Sequence, residues 1–483
     1  MVVMETTRFL SYEPGQLLLM PPDLREWLEE GHLAYFILDI VETLDLSEIF
    51  ASYDGSRGGR PGFDPRLLVG LLLYGYCVGV TSSRKLEKAT YESVPFRVLA
   101  ANQHPDHATI AEFRRRHLEA LSRLFVQVLR LCEKAGLVRL GHVALDGTKV
   151  RANASKHKAM SYGRMEEKVQ ELEAQVKELM VAAEAADQAE DAQHGARRGD
   201  ELPDELRFRK QRLEKIRQAK EALEAEARAE AQRLREEKEA KARSRSEDLP
   251  ESSELATPEA VQPEKTVKPV AKAQRNFTDP DSRIMRDGAT KSFEQSYNCQ
   301  AAVDSQAQVI VAAQVTQQAN DKQQIKPLVE QMKVNLDGRT PRELSADAGY
   351  FSEDNVGYLE GQTIDPYVAT GRQKHGAPGE PQKAAPAPGT PRERMAAKLQ
   401  TPTGKKVYSK RKETVEPVFG QIKEARGLRR FLLRGLGSVQ AEWNLICITH
   451  NLLKLFRSGW SPQSGISKAG MALPECLAVL QRA

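Results

Sequence analysis

Hydrophobic residues recur at helical spacing along the first third of the chain. Apolar side chains return every three or four residues from Leu28 onward, the period of a helix with one buried face. Asp64 and Pro65 suit the start of a further helix, because a proline is tolerated in the first turn. Predicted helices cover residues 28–49, 66–80, 83–91 and 109–132. We therefore predict an all-helical segment over residues 1–137.

The pattern changes to alternating strands and helices in two later regions. The run HVALDGTKVR predicts a strand that ends at or just past Asp146, because its apolar and β-branched residues lead to an Asp-Gly pair. Further strands are predicted at 297–303, 308–316, 343–346 and 365–369, and helices at 323–334, after Ser352, at 412–425 and at 439–456. This alternation predicts a mixed α/β sheet with helices packed on it.

Between these two regions lies a long charged segment with a heptad pattern. Apolar residues recur at spacings of three and four, and charges of both signs fill the other positions. The apolar positions are Val169, Leu172, Val176 and Leu179, then Leu213, Ile216, Leu223 and Leu234. We predict two long helices over residues 161–243, paired as an antiparallel coiled coil around a turn at 195–203. Residues 244–274, rich in Ser, Glu, Pro and Lys, are predicted to be a flexible linker.

Composition narrows the class of protein. The formal net charge of +4 over 483 residues does not by itself indicate a nucleic-acid partner, so the location of the charges matters more. The longest apolar run, 67–80, is too short to span a bilayer, and the N-terminus lacks the pattern of a signal peptide. The 5 cysteines stand singly without a CxxC pair, which argues against a zinc site or disulfide framework. We expect a cytoplasmic protein.

Two aspartates stand where ligands gather in α/β proteins. Asp146 and Asp347 each stand at the C-terminal end of a predicted strand, and the carboxyl ends of strands line the crevice of such sheets. A carboxylate buried there needs a cation or donor to compensate its charge. Because Asp-Gly is also a common turn pair, a purely structural role remains the alternative for either residue alone.

Glu416 is the third candidate acid. Val415, Phe419 and Ile422 form the apolar stripe of the predicted helix 412–425, and Glu416 lies on the adjacent face. Pro417 predicts that the helix begins close by, which would place Glu416 in its first turn. There it could simply stabilise the helix dipole. Three carboxylates together would instead suit two Mg²⁺ ions, which can hold the attacking and leaving oxygens of a phosphoryl displacement.

The charge around Glu416 is strongly positive. A solvated basic face is the plain interpretation, but next to a candidate metal carboxylate it favours a polyanionic substrate, with Tyr408 available for stacking. The basic residues are Lys405, Lys406, Lys410, Arg411, Lys412, Lys423, Arg426, Arg429, Arg430 and Arg434.

Several motifs together resemble one protein family. They are LDGTKVRANASK around Asp146, SADAGYFSEDN around Asp347, the set from Tyr408 to Lys423, TSSRKLE at 81–87 and HATIAEFRRRH at 107–117. With them the chain, from about residue 9 to 457, resembles the bacterial insertion-sequence transposases that carry a DDE triad. The resemblance implies a ribonuclease H-like catalytic domain at 138–160 and 275–457, a DNA-binding helical domain at 1–137 and a tail at 458–483.

The resemblance also implies roles for individual residues. Asp146, Asp347 and Glu416 would be the catalytic acids that bind two Mg²⁺ ions, with Mn²⁺ as the alternative metal. The expected contacts to DNA are Tyr408, Arg411 and Lys423 near the cleaved end, and Arg114 and Arg115 in the helical domain. Because the family commonly has one residue fewer between its Arg and Glu, Lys412 is an alternative to Arg411. Arg114 and Arg115 could equally form a solvated helix face.

The function expected from the resemblance is DNA transposition in the bacterial cytoplasm, in association with the nucleoid. Water would cleave a strand at the terminal inverted repeats, and the freed 3′-OH would attack target DNA. A homo-oligomer would bring two ends together. Two alternatives stay open: a metal-dependent nuclease without strand transfer, and a non-catalytic DNA-binding relative. Loss of a triad acid would favour the second, and the sequence retains all three.

Overall fold

The computed structural model describes residues 23–53, 62–194, 204–247, 268–287, 291–371 and 389–462. The chain forms two compact units, one up to residue 124 together with residues from 455 on, and the other from 125 to 454. The predicted turn at 195–203, most of the linker at 244–274, most of the tail at 458–483, and Cys476 lie outside the described residues. The domain boundaries inferred from the sequence stay a prediction.

The first unit is helical, as its apolar spacing predicts. Its helices are α1 (Leu33–Thr43), α2 (Ser47–Ala51), α3 (Pro65–Cys77), α4 (Ser83–Glu92), α5 (Val94–Leu99), α6 (His107–Arg116) and the start of α7 (Leu118–Lys134). Asp64 caps α3 by accepting the amide of Arg66 at 2.8 Å, and Asp106 caps α6 by accepting that of Thr109 at 2.7 Å. The single helix predicted at 109–132 is interrupted at His117, which stacks on Tyr53.

Helix α3 is the centre of the first unit. Leu71, Leu72 and Leu73 are all fully buried, because this helix is apolar on every side and neighbours surround it. Gly75 permits a tight turn after the helix, since a Cβ there would lie 2.5 Å from the carbonyl oxygen of Val80. In the part of the chain that the structure describes, none of the helices has the length and apolar character needed to span a bilayer.

The second unit contains a mixed sheet, which confirms the predicted α/β architecture. The strands are β1 (His142–Arg151), β2 (Ala159–Ser161), β3 (Gln274–Asn276), β4 (Arg283–Arg286), β5 (Phe293–Asp304), β6 (Val309–Thr316), β7 (Glu343–Ala346) and β8 (Asp365–Val368). Six of them form one sheet in the order β4-β5-β1-β7-β8, with β6 paired to β5. Strand β1 is antiparallel to β5 and parallel to β7, and β7 is parallel to β8.

The second unit also contains helices, several of which pack on this sheet. Besides part of α7, they are α8 (Tyr162–His194), α9 (Asp204–Glu247), α10 (Ile325–Asn335), α11 (Glu353–Gly361), α12 (Pro391–Gln400), α13 (Pro402–Gly420) and most of α14 (Leu436–Arg457). Trp443 of α14 is fully buried, and its indole nitrogen donates to the carbonyl oxygen of Gln300 on β5 at 3.1 Å. Cys77, Cys132, Cys299 and Cys447 are buried, as expected, and form no disulfide among the described residues.

Strand β1 is longer than predicted. It continues five residues past Asp146, because β5 pairs with it from Val143 to Arg151. The parallel pairing with β7 runs only from His142 to Ala144. The prediction that β1 ends near Asp146 is therefore wrong, since a second partner strand extends it.

The two long helices predicted in the charged segment are present as α8 and α9. They share a buried cluster, Tyr162, Met165, Leu172, Leu213, Ile216, Ala219 and Leu223, with Val169 and Val176 packed against it. Leu234 is instead 46% exposed. The reason is that Tyr162, the first residue of α8, hydrogen-bonds Glu224, so α9 extends beyond the start of its partner. Strands β2 and β3 pair and close the base of this excursion.

Candidate active site

The two aspartates lie on neighbouring parallel strands. In the pairing of β1 with β7, Ala144 stands opposite Ser345, and continuing this register by two residues brings Asp146 opposite Asp347. Asp347 is the first residue after β7, in extended geometry, and its Oδ1 accepts the amide of Gly349 at 2.8 Å. Because adjacent strands are about 4.8 Å apart, both carboxylates belong to one edge of the sheet.

Arg411 joins the first aspartate to the candidate glutamate. Its Nη1 donates to Oδ2 of Asp146 at 2.8 Å, and its Nη2 lies 3.9 Å from Oε1 of Glu416. The side chain of Arg411 is 9% exposed and that of Asp146 is 19% exposed, whereas that of Glu416 is 56% exposed. One guanidinium thus lies between an almost buried and a solvent-facing carboxylate.

Asp146 is electrostatically perturbed. Burial raises the pKa of Asp146 to about 6, and repulsion from Asp347 and Asp321 adds to this effect. The Arg411 guanidinium and the amide of Gly147 act in the opposite direction. Burial and the neighbouring carboxylates thus outweigh the stabilisation of the charged form by Arg411 and Gly147.

Glu416 does not lie in the first turn of a helix, so that prediction is wrong. Helix α13 begins at Pro402, and Pro417 stands inside it near its end. A proline removes the amide that would bond the carbonyl oxygen of residue 413. Here the side chain of Gln308 supplies the missing donor, at 2.7 Å from the Glu413 oxygen. The last turn then widens into a π-helical segment at Gln421–Ala425.

The other residues of the predicted set, on α13 and in the π-helical segment that follows it, differ in how closely they approach the acids. The ring of Tyr408 lies 5.9 Å from the Arg411 guanidinium carbon. Lys423 Nζ donates to the Thr148 hydroxyl at 3.2 Å and to the Lys149 carbonyl at 3.1 Å, both on β1. Lys412 is exposed. Of the two alternatives Arg411 and Lys412, it is Arg411 that contacts the acids.

The two arginines predicted in the helical domain lie elsewhere, in the first unit. Arg114 is only 6% exposed, and its Nη1 donates to the Thr81 carbonyl at 2.9 Å and lies near the Tyr76 hydroxyl. This is the environment of a core arginine, so Arg114 does not offer its guanidinium to DNA in this structure. Arg115 is exposed and pairs with Glu112.

Asp321 is a fourth acid at this edge that the sequence reasoning missed. Its Oδ1 accepts hydrogen bonds from Asn298 at 2.6 Å and Gln300 at 2.7 Å, and Lys149 Nζ lies 3.8 Å away. Asp321 follows β6, which is parallel to β1 because both are antiparallel to β5. Its place after a strand was the available signal, weakened by the polar residues around it.

The donor types at this edge suit a divalent cation. Carboxylate oxygens are the ligands that Mg²⁺ prefers, and Asp146, Asp347 and Glu416 supply them from three elements. Among the described residues, however, no three or more Asp, Glu, His or Cys side chains are arranged to hold a metal ion. The guanidinium of Arg411 lies beside Asp146, where it balances the charge that a metal ion would otherwise balance.

Two models of known protein families match parts of this sequence. A family model described as Transposase DDE domain matches residues 383–456, and one described as Transposase domain (DUF772) matches residues 22–116. The resemblance to bacterial insertion-sequence DDE transposases is confirmed. A transposase acts on DNA, so the family implies DNA as the partner. Searches among curated proteins and among solved structures found no match.

The two matches cover different parts of the site. The DDE-domain match, at 383–456, contains Arg411, Glu416 and Lys423, but neither Asp146 nor Asp347. The second match covers most of the first unit's helices. Since neither match includes Asp146 or Asp347, the roles of these two aspartates rest on the geometry of the site and on the sequence motifs around them.

Proposed function

We propose that this transposase cleaves a DNA strand at the ends of an insertion sequence and transfers the freed end to target DNA. Asp146, Asp347 and Glu416 are its catalytic acids. The observation that carries the proposal is the arrangement around Arg411: one guanidinium lies beside Asp146 and Glu416, while the strand register brings Asp347 to the same edge. Asp146 and Arg411, which are 265 residues apart in sequence, thus share one electrostatic site.

The three acids would hold two Mg²⁺ ions, with Mn²⁺ as the alternative. Bound divalent ions supply Lewis-acid activation of the attacking oxygen and neutralise charge on the leaving oxygen. In the first step water attacks the phosphorus and the 3′-oxygen leaves as a 3′-OH. In the second step that hydroxyl attacks the phosphorus of a target phosphodiester, and the 3′-oxygen of the target strand leaves as a 3′-OH. The protein needs no covalent nucleophile, and the buried His142 and His450 are engaged with Ser345 and Gln308.

Basic residues beside the acids would hold the DNA backbone. Tyr408, Arg411 and Lys423, with Lys412 as an alternative to Arg411, would contact phosphates near the cleaved end. Beyond them an exposed basic border follows the end of β1. Residue Arg430 donates to the Ala152 carbonyl at 3.2 Å, and Arg434 donates to that of Asn153 at 2.9 Å. Both side chains are exposed, which supports a phosphate track leading to the acids.

The sheet supports a ribonuclease H-like catalytic domain formed by residues 138–160 and 275–457. Strand β1 has the antiparallel β5–β6 hairpin on one side and the two parallel strands β7 and β8 on the other, and this mixed sheet supports the proposal. We propose that residues 161–243 are a coiled-coil insertion into this domain. The pairing of β2 with β3 supports the view that the chain leaves and returns at one place.

Recognition of the terminal inverted repeats is assigned to the helical domain at 1–137. Arg115 is its exposed candidate, whereas the buried Arg114 has a structural role. Pairing two ends requires at least two protomers, so we propose a homo-oligomer in the synaptic complex.

The proposal is tested with Glu416→Gln and Glu413→Gln in a Mg²⁺-dependent cleavage assay on the element's end. Both changes neutralise an exposed glutamate on α13, but only Glu416 lies next to Arg411. We expect E416Q to lose cleavage by at least about a hundredfold while end binding in a gel shift persists. E413Q should retain cleavage. Cleavage that survives in E416Q would remove Glu416 from the site.

The same assay separates a transposase from a nuclease. With a supercoiled plasmid as target, strand transfer gives products in which the end is joined to target DNA, whereas hydrolysis alone gives nicked plasmid. We expect joined products from the wild type and none from Asp146→Asn. Nicked products without joined ones would favour the nuclease alternative, and neither product would favour a non-catalytic relative.

A further inference from the structure

Both carboxylate oxygens of Asp146 have an internal partner. Oδ1 accepts the amide of Gly147 at 2.8 Å, and Oδ2 accepts Nη1 of Arg411 at 2.8 Å. A divalent cation held by Asp146 would need a carboxylate oxygen that already accepts one of these donors, next to the guanidinium. Two cations this close in a largely desolvated site repel strongly. Arg411 and a metal ion therefore compete for Asp146.

The guanidinium of Arg411 is not fully satisfied in this position. The residue is 8% exposed, yet its Nε has no hydrogen-bond partner among the described residues. The distance of 3.9 Å to Glu416 exceeds that of a hydrogen bond. An unpaired buried donor costs free energy. A phosphate group can accept two guanidinium hydrogen bonds side by side, which makes it a better partner.

From this geometry we infer that Arg411 is an internal counter-ion of the acids, which a DNA phosphate draws away so that Asp146 can bind a divalent cation. The inference rests on the proposed function and adds its regulation. Removing Arg411 leaves a nearly buried carboxylate without compensation, which is costly unless a cation arrives. Binding of DNA and binding of metal must then strengthen each other by the same factor.

Lys423 provides the matched comparison. It lies on the same side of β1 and carries the same charge, but it bonds Thr148 and the Lys149 carbonyl rather than an acid. Neutralising Lys423 changes the general electrostatic potential near the site. Neutralising Arg411 changes that potential and also frees Asp146.

The test measures Mn²⁺ binding to the full chain by the electron paramagnetic resonance signal of free Mn²⁺. The probe is a short duplex that carries the end sequence read from DNA flanking the gene. The amount of Mn²⁺ bound by the duplex together with the Asp146→Asn protein is subtracted as the background. We expect the duplex to raise the Mn²⁺ affinity of the wild type about tenfold. R411Q should bind Mn²⁺ tightly without DNA and gain less than about twofold from the duplex. K423Q loses a proposed phosphate contact, so it should need more duplex for saturation. At saturating duplex its Mn²⁺ affinity should still rise about tenfold, because Arg411 remains beside Asp146.

Three results would overturn the inference. One is equal wild-type affinity with and without the duplex, and another is an unchanged response in R411Q. If R411Q does not fold, R411K replaces it. The shorter side chain of this variant should pair less well with Asp146, so its Mn²⁺ affinity without DNA should rise. An Mn²⁺ affinity of R411K equal to that of the wild type is the third result that would overturn the inference. If instead D146N and E416Q bind Mn²⁺ as the wild type does, the proposed metal site itself fails, and the inference with it.

Discussion

Gly147 lies against the carboxylate of Asp321. A Cβ on this glycine would lie 3.0 Å from Oδ1 of Asp321 and 2.4 Å from Nε2 of Gln300. Neither group can easily give way, because Gln300 donates to Asp321 and accepts from the Tyr350 hydroxyl. The glycine that follows the first candidate acid thus makes room for a polar network on the other face of β1.

Gly147→Ala should therefore destabilise the protein, although alanine suits an extended strand better than glycine does. Overpacking costs about 1–3 kcal/mol, measured as a loss in the free energy of urea unfolding. Because Asp146 is the preceding residue, we also expect Mg²⁺-dependent cleavage to fall by at least about tenfold.

Gly357→Ala is the control for this prediction. Gly357 lies within α11, and a Cβ there would have no atom within 4 Å. Alanine should stabilise the helix by about 0.5–1 kcal/mol and leave cleavage unchanged. If G147A is as stable as G357A, the network around Asp321 is not rigid.

Local signals in the sequence predicted the elements that hold the aspartates. Strand β7 has the predicted bounds, Glu343–Ala346, and Ser352 caps the helix after it by accepting the Asn355 amide at 3.1 Å. Both features depend on a few consecutive residues: a short run of strand formers and a capping side chain. Asp347 could be placed for the same reason.

The position of Glu416 could not be predicted, because it depends on a residue far away in the chain. A proline normally ends or kinks a helix, and α13 continues past Pro417 because Gln308, in the β5–β6 turn, bonds the Glu413 carbonyl. Asp321 was not predicted as a site residue for a similar reason, because its partners Asn298 and Gln300 lie on a different strand, β5. No local pattern encodes such contacts.

Gln308→Ala tests this explanation of the helix. Gln308 also accepts from Lys454 at 2.6 Å, so we expect the free energy of unfolding to fall by about 1–3 kcal/mol. Pro417→Ala restores an amide that can bond Glu413 within the helix. In that background Gln308→Ala should cost less, and a double-mutant cycle measures the difference. Strictly additive effects would mean that Gln308 does not compensate for the proline.

The pKa of Asp146 predicts an unusual pH dependence. Its folded value of about 6 exceeds the ordinary 3.8, so the folded protein binds this proton more tightly than the unfolded chain. The resulting stabilisation is complete below about pH 4 and is lost as the pH rises to about 6. Relative to Asp146→Asn, the wild type should lose at most about 3 kcal/mol over this range.

The comparison between the two proteins is needed because His142 titrates in the opposite sense. Burial lowers the pKa of His142 to about 4, so its contribution to stability is lost as the pH falls from 6.5. This effect is common to the wild type and D146N, and it cancels in the difference of their unfolding free energies. The unfolding is measured in a chelator, and a difference that does not vary with pH would contradict the assignment.

The closed base of the α8–α9 excursion predicts that it can be removed. The amide of Tyr162 donates to the Ala273 carbonyl at 2.8 Å, and that of Gly163 donates to the Ala271 carbonyl at 3.1 Å. An Asn-Gly turn replacing residues 163–272 should therefore leave β2 and β3 as a hairpin. Met160 and Phe277 lose apolar partners, which should cost about 1–3 kcal/mol.

Urea unfolding and near-ultraviolet circular dichroism of the shortened chain check this expectation: a single cooperative transition and native aromatic signals should remain. A longer deletion, of residues 157–277, is the comparison. It removes Asn276, whose side-chain Nδ2 donates to the Ser155 carbonyl at 2.7 Å and whose Oδ1 accepts the backbone amide of Thr278 at 2.8 Å. Because that deletion disrupts the connection between β1 and β4, it should destabilise the sheet more. If the shorter deletion alone abolishes folding, the helix pair is an integral part of the second unit rather than an insertion into it.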